Sequence, residues 1–303
     1  MRTAHNGRVL CVVRQGAEAV ILRATILGCG SSGGVPRADG DWGACDPNNP
    51  KNVRRRCSLL VEAAASDEAL TAGETTNILI DTSPDLRAQA LSVGLQRIDA
   101  VMITHDHADQ THGIDDLRAF VYRARCHMPV HMSGDTAKEL LERFDYAFLG
   151  DGKLYRPLFT PHVWDAFGEP IRVQGPGGAV DIIPFELQHG PIMSTGFRIG
   201  PIAYSPDVNG VPDAAFRILD GTRVWIVDAL REDQHPTHAS VSDALGWIDR
   251  AGIPEAVLTN LHIDLDYDSL SAKLPEGVRP AHDGLSVTWN GVKTRYSTHP
   301  YIS

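Results

Sequence analysis

The chain has no Cys-x-x-Cys pair, and its five cysteines (Cys11, Cys29, Cys45, Cys57 and Cys126) are widely spaced and odd in number. That argues against a disulfide framework and fits a reducing compartment, so the protein is read as cytoplasmic. No apolar run reaches the roughly 20 residues needed to span a bilayer. Segment 1–22 makes a poor signal peptide, because Arg14 and Glu18 interrupt its apolar part. It reads as an N-terminal extension ahead of one domain over 23–303. Positive charge is also short: 28 Lys and Arg against 38 Asp and Glu leave a net charge of −10. Such a balance disfavours nucleic acid and membrane surfaces as partners. A local basic pocket is still allowed, and Arg54-Arg55-Arg56 is either that or a solvated face. No internal repeat or interdomain linker is evident, and a homodimer remains open.

What is present is an ordinary globular composition, 43% hydrophobic over 303 residues, ample for a large core. Strand-like runs fall at 24–27, 58–62, 77–81 and 100–103, and again at 180–187, 196–204, 223–228 and 255–260. Helical segments are expected at 84–93, 114–125, 135–148 with Asp135 as N-cap, and 240–251 capped by Ser240 or Ser242. A loop at 28–56 is rich in Gly, Pro, Asp and Asn, and loops that long are usually functional or mobile. Residues 63–76 look like an exposed hairpin tip, and 150–178 like an irregular connector or flap. Strands mixed with helices in both halves suggest an α/β fold, an αββα sandwich of two mixed β-sheets packed face to face with helices outside.

Thr104-His105-Asp106-His107-Ala108-Asp109 follows the apolar run Ala100-Val101-Met102-Ile103. Two imidazoles and a carboxylate therefore sit in a loop at a strand's C-terminal end. That donor set suits Zn²⁺, Mn²⁺ or Fe²⁺. Further polar groups follow apolar strands: His189 after 180–187, Asp207 after Ile202-Ala203-Tyr204, Asp228 at the end of 223–227, and Asn260-Leu261-His262 after 256–259. If the sheets align these strand ends, His105, His107, Asp109, His189, Asp207 and His262 converge. Six such groups are enough for two divalent ions bridged by Asp207.

This ordered series resembles the metallo-β-lactamase superfamily over residues 24 to 303, and within it the PhnP-like cyclic-phosphate phosphodiesterases. Thr25 to Pro36 is similar to that branch's opening strand and glycine-rich loop, and Arg54-Arg55-Arg56-Cys57-Ser58 to its basic lead-in to the second strand. Leu79-Ile80-Asp81 resembles the superfamily's early aspartate, Thr104 to Asp109 its signature loop, and Asp283-Gly284 a late turn of the branch. The resemblance implies the metallo-β-lactamase fold and a phosphodiesterase acting on a small cyclic phosphate or nucleotide-like ester. It implies that His105, His107 and His189 hold one ion, that Asp207 bridges, and that Asp109 and His262 hold a second. Asp81, Asp228 and Gln110 would steady those ligands from behind.

His238, in His235-Pro236-Thr237-His238, resembles the branch's non-ligand active-site histidine and is expected to protonate the leaving alkoxide or to bind a phosphate oxygen. His235 competes for that role. Ser31, His112, Arg118 and His235 are candidate substrate contacts, Arg118 together with Asp115 reaching a ribose or base or else pairing on the helix surface. The usual signature carries a histidine where this chain has Gln110. The expected cofactors are therefore two divalent ions, Mn²⁺ or Zn²⁺, with the second site oxygen-rich, tilted to Mn²⁺ and weak. His112 can substitute if the loop is reshaped. The long loop holds no cysteine cluster, with Cys45 alone beyond its glycine-rich opening, so no structural zinc is expected there. Competing functions are a tRNA 3′-processing-type nuclease and a non-catalytic nucleotide-binding module.

Overall fold

Strands apolar on both faces set the architecture. In the computed structural model, which describes residues 21–150, 152, 156–164 and 166–299, the strands are β1 (Ile21–Gly28), β2 (Ser58–Ala64), β3 (Thr76–Ile80), β4 (Ala100–Met102), β5 (Met128–Ser133), β6 (Phe159–Trp164), β7 (Ile171–Gly175), β8 (Gly178–His189), β9 (Ile192–Ile199), β10 (Ile202–Ser205), β11 (Val224–Asp228), β12 (Glu255–Thr259), β13 (Val278–Pro280), β14 (Leu285–Trp289) and β15 (Thr294–Thr298). They form an eight-stranded sheet, β15-β14-β1-β2-β3-β4-β5-β6, and a seven-stranded sheet, β13-β12-β11-β10-β9-β8-β7. Both are mixed: β3 to β6 pair in parallel, as do β10 to β13, and the remaining neighbours are antiparallel.

Successive side chains on a strand point to opposite faces. Ile26, Leu59, Ile78 and Met102 therefore turn inward and meet Phe197, Tyr204, Ile226 and Val257 of the second sheet. Their neighbours Leu27, Leu60, Leu79 and Val101 turn outward and are covered by Leu86, Leu117, Val121 and Leu140. On the other side Trp225, Val227 and Leu258 are covered by Leu219, Ala244 and Ile248. Each such side chain contributes about 1.5–3 kcal/mol by leaving water. This is the expected four-layer αββα arrangement.

Several local expectations shift. The run 196–204 is two strands, because a reversal with Gly200 at φ 55 separates β9 from β10. The hairpin tip holds a helix, Asp67–Ala72, capped by Ser66 and ended by Gly73 at φ 74. Ser133, not Asp135, caps the helix Gly134–Arg143, since its side chain accepts from Thr136 N–H. The region 150–178 contains β6 and β7, edge strands of the two sheets. The extension expected over 1–22 overlaps β1 at its last two residues, and the rest lies outside the described residues. Ser240 caps Val241–Ala251 in a reciprocal pair with Asp243. Cys29, Cys45 and Cys57 are free and buried. Cys126 is disulfide-bonded, so the expectation of wholly reduced thiols fails there.

The long loop 28–56 is anchored from within. Arg54, 2% exposed, donates to the carbonyls of Leu265 at 2.6 Å and His262 at 3.1 Å and to Asn52 Oδ1 at 3.1 Å. Asp283 accepts from the Cys29 and Arg55 backbone N–H groups at 3.1 and 2.9 Å. Gly28 is required because a Cβ there would lie 2.0 Å from the Arg56 carbonyl oxygen. Arg54 is thus a structural tie, while Arg56 pairs with Asp85 at 3.1 Å. The basic triplet is neither a solvated face nor a single pocket.

Candidate metal centre

Strands β3, β4, β8, β10, β11 and β12 carry the chemistry at their carboxyl ends, the edge where open α/β sheets place their sites. Asp81 follows β3, His105 to Asp109 follow β4, His189 ends β8, Asp207 follows β10, Asp228 ends β11 and Asn260 follows β12. Asp81 and Asn260 take left-handed backbone, φ 64 and φ 59, which turns each strand end sharply. Non-glycine residues in that region cluster at functional sites, and Asp and Asn tolerate it best.

His105, His107 and His189 come together with ring centroids 4.5–5.0 Å apart. Their nearest ring nitrogens all lie within 4.8 Å of one another. Nδ1 of His189 donates to the Thr237 carbonyl at 2.6 Å, which leaves its Nε2 as a lone pair 3.3 Å from His107 Nδ1. A tetrahedral ion with Zn–N bonds of 2.0–2.1 Å has ligand edges of about 3.3 Å. Nε2 of His105 is buried without any hydrogen-bond partner, while its Nδ1 lies 3.0 Å from Thr104 Oγ1. Burial, reinforced by His189, His107 and His238, holds His105 well below the usual imidazole range. Burial and then His238 bring His189 down to about 4. Three imidazoles aimed at one point, one of them with an orphaned nitrogen, fit a divalent ion.

The carboxylate layer beside them is different. Asp207, 2% exposed, accepts from Gln110 Nε2 at 3.0 Å on one oxygen and from Asn260 Nδ2 at 3.2 Å on the other. Gln110 Nε2 also lies 3.4 Å from Asp109 Oδ2, and Asn260 Nδ2 donates to Asp228 at 3.2 Å. Nδ1 of His238 donates to Asp228 at 2.8 Å and stands 3.5 Å from Asp207. Burial raises both Asp207 and Asp228, with His238 acting against it in each case. Burial also opposes charge on His238, but the Asp228 hydrogen bond and the charges of Asp228, Asp207 and Asp109 outweigh it and lift His238 to about 9. His189, Asp207 and His238 form a second gathered set that shares His189 with the first.

His262 joins neither set. Its Nδ1 pairs with Asp264 at 2.8 Å and its Nε2 faces Arg37 at 2.6 Å, so the ligand role expected for it is corrected. The left-handed turn at Asn260 sends that residue's amide to Asp207 and Asp228 instead, a contact the sequence reading missed. Arg118 is tied to Asp115 at 2.7 Å and Tyr122 at 3.3 Å on its own helix surface. His112 is exposed, edge-on to Phe144, and lines a cleft with Asp106, His107 and Arg143. Ser31 is buried, its carbonyl accepting from Gly34 N–H. The ring of His235 lies 5.2 Å from that of His238. A neighbouring open cleft of about 600 Å³ is lined by Ser32, Gly33, Arg37, Arg56 and Asp109.

The Beta-lactamase superfamily domain family matches residues 76–263, which span every one of these gathered side chains. The chain belongs to the metallo-β-lactamase superfamily. Among solved structures, this superfamily member is similar to a diphosphatase of the PhnP family at 30% identity and a TM-score of 0.76, covering 89% of this chain and 97% of that one. The short form of human tRNase Z aligns at 16% identity and a TM-score of 0.59, over 87% and 98% of the two chains, and shows the shared fold. A curated relative, an octanoyltransferase of Porphyromonas gingivalis, is 29% identical over 289 residues. The chain spans 93% of itself in that match but only 55% of the relative, about half its length. Superfamily members are mostly hydrolytic metalloenzymes, and the His/Asp cluster could hold a divalent ion.

Proposed function

We propose that the protein is a metal-dependent phosphodiesterase acting on a small cyclic phosphate or nucleotide-like ester. The observation that carries this reading is the buried, partnerless Nε2 of His105 facing His107 and His189. Three imidazoles favour Zn²⁺ among the available ions. A divalent ion held there supplies Lewis acidity toward a phosphoryl oxygen and toward water.

The chain's own residues do the rest. Asp207, gathered with His189, and Asp109, joined to it through the Gln110 amide, are the candidate acceptors for a proton from the attacking water. The guanidinium groups of Arg37 and Arg56 lie along the cleft beside Asp109 and suit an anionic ester. Arg56 is held by Asp85, and Arg37 by contacts to Asp41 and His262, so neither has to be ordered when substrate arrives. His238 carries its Nδ1 proton on Asp228, which turns Nε2 outward as the candidate donor to a leaving alkoxide. A cyclic ester needs only one such donor, because its leaving group stays tethered. A cytoplasmic setting belongs to the same proposal and rests on the free thiols of Cys29, Cys45 and Cys57, with the Cys126 disulfide counting against it.

The test is hydrolysis of bis(p-nitrophenyl) phosphate, and of ribose and nucleoside cyclic phosphates, by protein of measured metal content. Turnover that chelation abolishes and Zn²⁺ or Mn²⁺ restores is expected. Tight nucleotide binding with no hydrolysis by the metal-loaded protein would replace the enzyme with a binding module.

A further inference from the structure

We propose that this chain holds one resident divalent ion, at His105, His107 and His189, and that the side-chain amides of Gln110 and Asn260 take the place of a second. The inference rests on the metal reading of the three imidazoles. It concerns what neutralises the carboxylates beside them.

Both oxygens of Asp207 already accept an amide hydrogen bond, which makes each a poorer ligand for a second ion. Gln110 Nε2 donates to one oxygen at 3.0 Å and Asn260 Nδ2 to the other at 3.2 Å. The NH₂ group of Gln110 stands between Asp207 and Asp109, at 3.0 and 3.4 Å from their carboxylates. That is where a cation shared by the two would sit. The two N–H bonds of one amide serve the two acids, and an amide nitrogen has no lone pair for a metal. The hydrogen-bond network sets this orientation: without a second cation, the opposite one would put the Gln110 carbonyl against two carboxylate oxygens. As placed, Oε1 points away and has no partner, the cost of presenting the donor side. Gln110 and Asn260 are 0% and 1% exposed, so neither side chain can swing into water to make room.

The remaining donors do not make a second cage. His262, the imidazole that would complete one, is committed to Asp264 and Arg37. His238 gives its Nδ1 proton to Asp228. The set His189, Asp207 and His238 borrows a ligand from the first site and adds no independent one. Among the described residues that leaves Asp109 and Asp207, two residues against the three or four protein ligands that hold such ions. Paired amides lower the cost of burying Asp207 beside the half-buried Asp109 through hydrogen bonds, the task a second cation performs elsewhere.

The experiment is metal stoichiometry on the full chain. Protein stripped with chelator is reloaded with excess Zn²⁺ or Mn²⁺, freed of unbound ion, and measured by mass spectrometry of the metal. The Mn²⁺ form is also examined by electron paramagnetic resonance. One ion per chain and an uncoupled Mn²⁺ spectrum are expected. Two ions, or a spin-coupled pair, overturn the proposal. Zero ions overturn the metal reading itself, a distinguishable failure. Gln110→Glu removes the donor and adds a third carboxylate, so stoichiometry should rise from one to two. Gln110→His, which substitutes a lone pair for the N–H donors, is the second variant if the first does not fold. A folded variant that still binds one ion refutes the role given to Gln110.

Discussion

Thr104→Val tests how the protein aims His105. The hydroxyl of Thr104 bridges Asp81 Oδ2 at 2.9 Å and His105 Nδ1 at 3.0 Å. All three residues are at most 1% exposed. With the hydroxyl donating to Asp81, His105 Nδ1 must carry the proton that the hydroxyl accepts, and Nε2 is left as the bare lone pair facing its two partner imidazoles. Valine keeps the shape and deletes only that bridge, since the Thr104 backbone N–H still donates to Asp81 Oδ1 at 2.8 Å. Two buried polar atoms lose a partner at about 1–3 kcal/mol each. The unfolding free energy should therefore fall by about 2–6 kcal/mol. The ring is also freed to flip tautomer, and loss of such a supporting bond weakens metal binding by about 10–100-fold. Urea unfolding gives the first quantity, and competition against a chromogenic zinc chelator gives the second. Zinc affinity within about threefold of wild type, with an unchanged unfolding midpoint, would refute the bridge.

Other expectations follow from the same geometry. His107→Ala should lose the ion and all turnover. His238→Ala should keep the ion, losing about 10²–10⁴ in rate on an alkyl leaving group but far less on p-nitrophenolate, which needs no proton; equal losses on both would remove His238 from the acid role. Burial, only partly offset by Arg55 and Cys29, pushes Asp283 from 3.8 up to about 7. The folded chain therefore holds that proton more tightly, and the stabilisation present below about pH 4 is gone above about pH 7, roughly 4 kcal/mol at ~1.36 per pH unit. Asp283→Asn should flatten the difference in urea stability between pH 5 and pH 8, and an unaltered slope would count against it. Gly28→Ala places a Cβ 2.0 Å from the Arg56 carbonyl. It should cost about 1–3 kcal/mol or more, and a thermal midpoint equal to wild type would contradict the close approach.

The sandwich was readable because its strands are apolar runs that stop at polar groups, and parallel strands bring those stops to one edge. His105, His107, His189 and Asp207 meet for that reason. Periodicity cannot see a reversal inside a continuous apolar run, so β9 and β10 read as one strand. Nor does it detect short edge strands such as β6 and β7 amid Pro and Gly. The exchange of Asn260 for His262 has a conformational cause: a left-handed residue directly after β12 sets which side chain enters the site, and hydropathy does not report φ. The one available signal was an Asn at a strand's carboxyl end, a residue type that accepts that conformation. Arg54 escaped as a structural residue because three consecutive arginines look alike in sequence, while their partners lie over 200 residues away for one and about 30 for another.

X-ray absorption on the zinc-loaded protein tests the central claim most directly. Three imidazole nitrogens at about 2.0–2.1 Å are expected in the wild type, with loss of the bound zinc in His107→Ala. A protein that retains no zinc, or binds it through oxygen or sulfur without imidazole scattering, would contradict the account.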